Sequence, residues 1–342
     1  NVSGTFNAAV GHGALTANTA SDNTALGANT TANDNTAVGY KALSANTTAS
    51  GNTGVGVSAL TANTTGDKNT ALGLRALQSV TTGERNTGLG HLALRDVTGN
   101  YNTGVGAFAL YQSTTGAQNI AIGYNALGGN TTGSNNTAIG QNSLSSNAGS
   151  NDNTAVGALA LNDNSTGTRN VGIGVSALES NTGGANNTAV GYHAGKALTT
   201  GGDNVAVGKD ALSTQTTGNN NTAIGSDALK ANTTGSANIA IGNYALDANA
   251  TGSDCVSIGY GALSANTTAS YNTAVGRNAM HLNESGAHNT AVGNLALDAN
   301  TTADANTAIG AEALSANTTG ATNTAVGANC LDANTTDSNN TG

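Results

Sequence analysis

Residues 35–51 read NTAVGYKALSANTTASG, and close variants of this 17-residue stretch recur along nearly the whole chain. The five-residue core NTAVG begins every 17 residues from Asn35 to Asn86 and, after one 16-residue step, every 17 residues from Asn102 to Asn323. A short fixed period is typical of a solenoid, in which each repeat forms one turn, here called a coil, and stacks on the next. We number the positions of a repeat from the first Asn of its core.

The core alternates in a way that predicts a short β-strand. Position 1 is Asn except at Cys255, position 2 is usually Thr, position 3 is Ala, Gly or Ser, position 4 is Val, Ile or Leu, and position 5 is Gly. Positions 2 and 4 therefore share one face of a strand, and Gly suits the corner that follows. We expect positions 2 and 4 to form a thin Val/Ile/Leu core. The small residues at positions 1, 3 and 5 would then leave a flat face for contact with another chain.

The rest of the repeat predicts how the coil closes. Positions 8 and 9 are mostly Ala-Leu, as in Ala42 and Leu43, and form a second short strand or a bend whose Leu fills the interior. Positions 10–17 are rich in turn residues. The sequence thus predicts an all-β, parallel β-solenoid (β-roll) of about 20 coils. At ~4.8 Å per coil, the array would be a rod of roughly 95 Å.

We expect residues 1–342 to form a single continuous array with two irregular coils. Earlier cores begin at Asn7 and Asn23, and the 12-residue step over residues 23–34 predicts a pinched coil. In residues 191–203 the Ala-Leu pair shifts, which predicts a bulge. Residues 340–342 open a further copy, so we expect a longer parent protein.

Composition argues against several classes of protein. The net charge is −9 with only 10 Lys and Arg, which is not the basic surface expected of a nucleic-acid-binding protein. The sequence contains no run of 18 apolar residues, which is the length that would predict a membrane-spanning helix. No set of residues resembles a nucleophile with its base, or a metal site, so we expect no enzyme, cofactor or metal. Cys255 and Cys330 lie more than four coils apart, too far for a disulfide, so we expect free thiols.

Two columns of asparagine invite a functional interpretation. At position 1, stacked side chains favour a structural hydrogen-bonded ladder over an array of ligands. Representative members are Asn35, Asn52, Asn69, Asn119, Asn136, Asn221, Asn272 and Asn306.

At position 12, Asn begins Asn-x-Ser/Thr sequons that we expect in surface turns. They are either good turn chemistry or sites for N-linked glycans along one edge of the array. These sequons are at Asn46, Asn63, Asn130, Asn232, Asn249, Asn266, Asn283, Asn300, Asn317 and Asn334.

The core with its Gly corner resembles the head repeats of trimeric autotransporter adhesins, which read roughly N-S-V-A-I-G. NIAIG at Asn119 and Asn238 and NVAVG at Asn204 come nearest. The longer form NTAVGYxALxxNTTG resembles repeats of bacteriophage tail-fibre and related bacterial surface proteins. The resemblance implies a left-handed parallel β-roll and a homotrimer of chains packed side by side. Thr at position 2 and the longer period depart from the adhesin pattern.

We therefore predict a structural, extracellular role at a cell surface or on a virion. The chain would be a shaft or head of an adhesin, tail fibre or filament, acting as a rigid spacer. Its expected partners are further copies of itself and a host-surface or glycan receptor, with no nucleic acid and no membrane insertion. The alternative is a binding module, which would use an exposed Thr column to bind ice or a lateral surface to adhere. That lateral surface would comprise positions 6, 7 and 10, which are Tyr40, Lys41 and Ser44 in the first full repeat.

Overall fold

A computed structural model describes residues 5, 7–9, 21, 23–26 and 32–342. The chain divides into two compact units, residues 1–169 and 170–342. Each unit is a stack of short parallel strands, and no described residue is helical. The predicted parallel β-solenoid is confirmed, whereas its handedness stays a prediction.

In the first unit the strands occupy positions 2–4 of their repeats, except the first strand, which covers positions 2 and 3. Neighbouring strands pair in parallel with equivalent positions aligned, as where Thr36 lies opposite Thr53. The strands are β1 Ala8–Ala9, β2 Thr24–Leu26, β3 Thr36–Val38, β4 Thr53–Val55, β5 Thr70–Leu72, β6 Thr87–Leu89, β7 Thr103–Val105, β8 Ile120–Ile122, β9 Thr137–Ile139 and β10 Thr154–Val156.

The second unit has the same organisation, with every neighbouring pair in register. Its strands are β11 Val171–Ile173, β12 Thr188–Val190, β13 Val205–Val207, β14 Thr222–Ile224, β15 Ile239–Ile241, β16 Val256–Ile258, β17 Thr273–Val275, β18 Thr290–Val292, β19 Thr307–Ile309 and β20 Thr324–Val326.

Backbone hydrogen bonds join consecutive coils along both walls of each unit. On the strand wall, the Gly56 N–H donates to the Val38 carbonyl at 2.8 Å. On the opposite wall, the Leu43 N–H donates to the Ala59 carbonyl at 3.0 Å. Backbone groups that a lone coil would leave unpaired are therefore satisfied by its neighbours.

The strands turn the opposite face inward from the one predicted. Position 3 is buried throughout β3–β20, whereas positions 2 and 4 are half-buried or exposed. Leu72 is 47% exposed and Ile309 41%, while Ala71 and Ala308 are fully buried. The prediction of a Val/Ile/Leu core was therefore wrong, and so was the proposed use of positions 1 and 3 as a contact face between chains.

The narrow interior explains this orientation. The Leu of position 9 fills the space behind the strand, so a Cβ added to Gly54 would lie only 3.4 Å from Leu43 Cγ. At Gly104 an added Cβ would lie 2.4 Å from Leu94 Cδ1. Position 3 therefore takes only Ala, Gly or Ser, and the branched side chains on either side of it point outward.

Positions 8 and 9 form a bend instead of a second strand. Leu43 is fully buried, as the sequence predicted, but its φ is 54°. A left-handed conformation costs a non-glycine residue about 1–2 kcal/mol, while burying a Leu side chain stabilises by about 1.5–3 kcal/mol. Burial therefore outweighs the backbone penalty.

Glycine is needed at position 5, in the corner that follows each of the strands β3–β20. Gly39 has a φ of 130°, and a Cβ there would lie 2.6 Å from the Gly56 carbonyl oxygen. Stacking of the coils thus requires glycine at this corner.

The bulge predicted in residues 191–203 is absent, since β12 and β13 remain in register. Ala194 occupies position 8, Gly195 occupies position 9 with a φ of 59°, and Leu198 is buried at position 12. In the 23–34 coil, Thr24 still pairs with Thr36, but residues 27–31 lie outside the described part of the chain.

Candidate interaction surface

The outward side of the strands is the candidate interaction surface of each unit. We call it the strand face and define it as positions 2 and 4 of the repeats. Position 4 contributes a column of Val, Ile and Leu, and position 2 contributes mostly Thr with some Ile and Val. Ile122 and Ile241 on this face are 39% and 37% exposed. Contiguous exposed apolar surface of this kind is typical of a site that another surface covers.

Threonine hydroxyls on the strand face have no partner within the chain. In residues 36–324, all of them described, no position-2 Thr hydroxyl makes a hydrogen bond to another group of the chain. Coil-to-coil register aligns these hydroxyls in a column, as at Thr273 and Thr290. They are thus available to solvent, ice or another chain.

The strand face is also uncharged, because no position 2 or 4 of any repeat holds an acidic or basic residue. The charged residues lie instead in the turns. A chain of net charge −9 therefore offers one surface on which copies can meet without direct repulsion between like charges.

Position-1 asparagines lie inside the coils and form a ladder. The side-chain Oδ1 of Asn52 accepts the backbone N–H of Asn69 at 2.8 Å, and Asn69 Oδ1 accepts the N–H of Asn86 at 2.9 Å. The Nδ2 of most of these Asn closes its own coil, as where Asn69 donates to the Gly83 carbonyl at 2.8 Å, whereas Asn52 Nδ2 donates to the Ser50 carbonyl at 3.5 Å. The same buried environment holds Asn35, Asn52, Asn69, Asn119, Asn136, Asn221, Asn272 and Asn306.

The sequon asparagines form a second ladder instead of lying in exposed turns. Asn300 Nδ2 donates to Asn283 Oδ1 at 2.8 Å and to the Ala303 carbonyl at 3.1 Å. The expected exposed location is wrong for nine sequons, which are buried: Asn46, Asn63, Asn130, Asn232, Asn249, Asn266, Asn283, Asn300 and Asn317; Asn334 is half-buried. A glycan on a buried, hydrogen-bonded Nδ2 would displace the ladder, so the folded coils do not present these sites.

The sequence contains a signal for this second ladder. Val80, Val97 and Leu198 occupy position 12 in other repeats and are fully buried. Apolar residues that alternate with Asn at one position indicate an interior column, because a surface turn would not select Val or Leu.

Both asparagine ladders are interrupted. In the second ladder, Val80 takes the place of Asn in the coil after that of Asn63. The Val80 side chain cannot donate a hydrogen bond, which leaves the buried Asn63 Oδ1 without a partner. Cys255 replaces Asn at position 1, so the N–H of Asn272 meets no side-chain oxygen there. Cys255 is buried and free, and burial raises the pKa of its thiol. Cys330 is free and half-buried.

At positions 6, 7 and 10 of the first full repeat, Tyr40, Lys41 and Ser44 are exposed. Position 7 is buried in other repeats, at Leu92, Ser176 and Asp227. Aromatic residues concentrate at these three positions in the first unit. The Phe108 ring contacts the rings of His91, Tyr111 and Tyr124 at centroid distances of 5.3, 5.5 and 5.8 Å.

Within the described residues, no three His, Cys, Asp or Glu side chains converge as a metal site would require. The described part of the chain also contains no helix long and apolar enough to cross a membrane. No protein-family model and no curated protein matches this sequence.

Proposed function

We propose that the chain is a structural element of an extracellular fibre, such as the shaft or head of a surface adhesin, a tail fibre or a filament. Copies would pack side by side through the strand face. The observation that carries the proposal is this exposed, uncharged column of Val, Ile and Leu beside Thr, repeated at every coil. Such a surface is too apolar to be explained as ordinary solvated surface.

Other copies of the same chain are the partners that fit this face best. Every copy carries the same column at the same coil spacing, so side chains of one can fit between those of another over many coils. The resemblance to trimeric adhesin heads favours three copies. The asparagine ladders and the backbone bonds between coils supply the rigidity that a spacer needs.

Paired substitutions on the strand face test the proposal. Thr290→Glu with Thr307→Glu would place two carboxylates per copy in the contact, and we expect the assembly to dissociate to single chains in sedimentation experiments. Thr302→Glu with Thr319→Glu is the matched control, because these exposed threonines lie in the turns of the same two coils. Equal masses for both variants and the unmodified chain would exclude the strand face as the contact.

Ice binding is the second candidate, and the aligned, unpartnered Thr hydroxyls favour it. Val and Ile also occur at position 2, but they face outward as the threonines do, so their presence does not place this column inside the coil. The two functions compete for one face, since a face buried between copies is closed to ice.

Thermal hysteresis of the purified chain tests this alternative. An ice-binding face should give measurable hysteresis that is lost when several position-2 threonines are changed to Val without loss of folding. No hysteresis in the unmodified chain, or hysteresis that survives those changes, would reject it.

A further inference from the structure

A polar depression of about 440 Å³ opens on the turn side of the first unit, away from the strand face. It is lined by Thr61, Ala62, Arg75, Gln78, Ser79, Arg95 and Asp96. These residues come from positions 7, 10 and 11 of three successive coils, on the lateral surface that the sequence singled out. Its volume lies within the range of small-ligand sites.

The stretch of chain that forms the depression is basic although the whole chain is acidic. Residues 35–96 contain five cationic and three acidic side chains, a net charge of +2, whereas the whole chain carries −9. The cations are Lys41, Lys68, Arg75, Arg85 and Arg95, and the acids are Asp67, Glu84 and Asp96. An anionic ligand would therefore be drawn to this part of the chain.

The two arginines of the depression differ in their partners. Arg95 Nε donates to Asp96 Oδ1 at 2.8 Å, and its guanidinium carbon lies 3.9 Å from the centre of the Tyr111 ring. Arg75 is exposed and makes no ion pair or side-chain hydrogen bond with any described residue. Arg95 is thus held in place, and Arg75 is free to bind an anion.

The remaining lining groups indicate which anion fits. Asp96 accepts a hydrogen bond from Ser79 Oγ at 3.1 Å, and Gln78 also lines the depression. The lining holds two arginines and one aspartate, a net charge of +1 (2 − 1), which balances a ligand with a single negative charge better than a dianion such as phosphate. The Asp96 carboxylate also accepts hydrogen bonds from hydroxyl groups. A ligand with one negative charge and many hydroxyls fits best.

We propose that this depression binds a uronic acid residue of an acidic polysaccharide. Arg75 would take the sugar carboxylate in a bidentate contact, as guanidinium groups do. Gln78, Ser79 and Asp96 would contact the ring hydroxyls. The site gives the proposed fibre a ligand class, but it does not depend on assembly through the strand face.

Calorimetric titration of the full chain with a short oligogalacturonate tests the site, with the methyl-esterified form as the uncharged probe. We expect the acid form to bind and the ester to bind at least about tenfold more weakly, because a charge-assisted contact is lost. Arg75→Gln should weaken binding of the acid form by a similar factor, and Arg75→Lys by less. Arg277→Gln, the same change at an exposed position in the second unit, should leave binding unchanged.

Several results would overturn the proposal. These are no binding of the acid form, equal binding of acid and ester, or equal losses in Arg75→Gln and Arg277→Gln. The last would indicate general attraction of a polyanion. The native mass of each variant, measured on the same samples, shows separately whether assembly has changed.

Discussion

At the scale of the residue, a position-1 asparagine makes two contacts that few side chains can combine. Its carbonyl oxygen accepts the backbone N–H of the next coil while its amide donates to its own coil, as at Asn289. Cys255 can make only weak sulfur contacts at this place, to the carbonyls of Ser253 and Ala269. The ladder therefore predicts a local weakness at Cys255.

Cys255→Asn should stabilise the second unit by about 1 kcal/mol, since an amide oxygen accepts the Asn272 N–H more strongly than the Cys255 sulfur does. Denaturant unfolding monitored by circular dichroism measures this change. Cys330→Asn, outside the ladder, serves as the control and should have little effect. Lower stability in Cys255→Asn would contradict the ladder geometry.

Because the second ladder is interrupted next to Asn63, we expect an Asn→Val substitution to cost less stability there than at Asn300. Asn300→Val should destabilise by about 1–3 kcal/mol, because Asn283 Oδ1 loses its donor inside the protein. Asn63→Val removes an oxygen that is already unpaired, and we expect a change within about 0.5 kcal/mol.

In Asn63→Val, Asn52 Nδ2 can turn to the Gly66 carbonyl and replace the donor lost with Asn63. The coil that contains Val80 already has this arrangement, because Asn69 Nδ2 bonds there to the Gly83 carbonyl. Thermal unfolding of both variants gives the comparison. Equal losses of stability would show that the second ladder contributes nothing.

We expect Asp→Asn substitutions at two aspartates to change the unfolding temperature in opposite directions at neutral pH. Partial burial raises the pKa of Asp298, whose Oδ1 has no partner, so its charged form destabilises the folded state at neutral pH. Asp298→Asn should therefore raise the unfolding temperature at pH 7. The gain should shrink as the pH falls through the raised pKa of Asp298 to the ordinary value for Asp, about 3.9.

Asp227 is the contrasting case, because its hydrogen bond from Lys230 lowers the pKa of its carboxyl group. It stabilises the fold above the ordinary pKa of Asp, and this stabilisation is lost as the pH falls through the lowered value. Asp227→Asn should thus lower the unfolding temperature at pH 7, and less so in acid. The same sign for both variants at pH 7 would contradict these environments.

At the scale of the element, each strand from β3 to β20 is three residues long and buries only its middle side chain. Ala291→Val would force two methyl groups against the Leu wall and should destabilise by about 1–3 kcal/mol. Thr290→Val, the neighbouring outward position, should change stability by less than about 0.5 kcal/mol. Thermal unfolding of the pair checks the orientation of the strand, and the reverse order would favour the arrangement first expected from the sequence.

Periodicity predicted the strands and the coil but not which face turned inward. An apolar residue at position 4 normally indicates the core, yet here the Leu of position 9 leaves room for little more than Ala. The better signal was size: position 3 never exceeds Ala or Ser, as at Ala274 and Ser257. The depression near Arg75 was not predictable from periodicity, because it joins turn residues of three different coils.

At the scale of the whole molecule, different surfaces of the coil have different roles in the proposed fibre. The asparagine ladders and the Ala/Leu interior hold each unit together. In the proposed fibre, the strand face would join copies, and the turn side would carry the variable residues that contact ligands. This division explains why charges and aromatic rings gather in the turns while the strand face stays uncharged.

The native mass of the intact particle tests the central claim, that copies pack through the strand face. Light scattering or native mass spectrometry should give about three times the 33.0 kDa of one chain. A mass of 33.0 kDa at all concentrations would contradict side-by-side assembly. It would leave the strand face exposed to solvent and favour the ice-binding alternative.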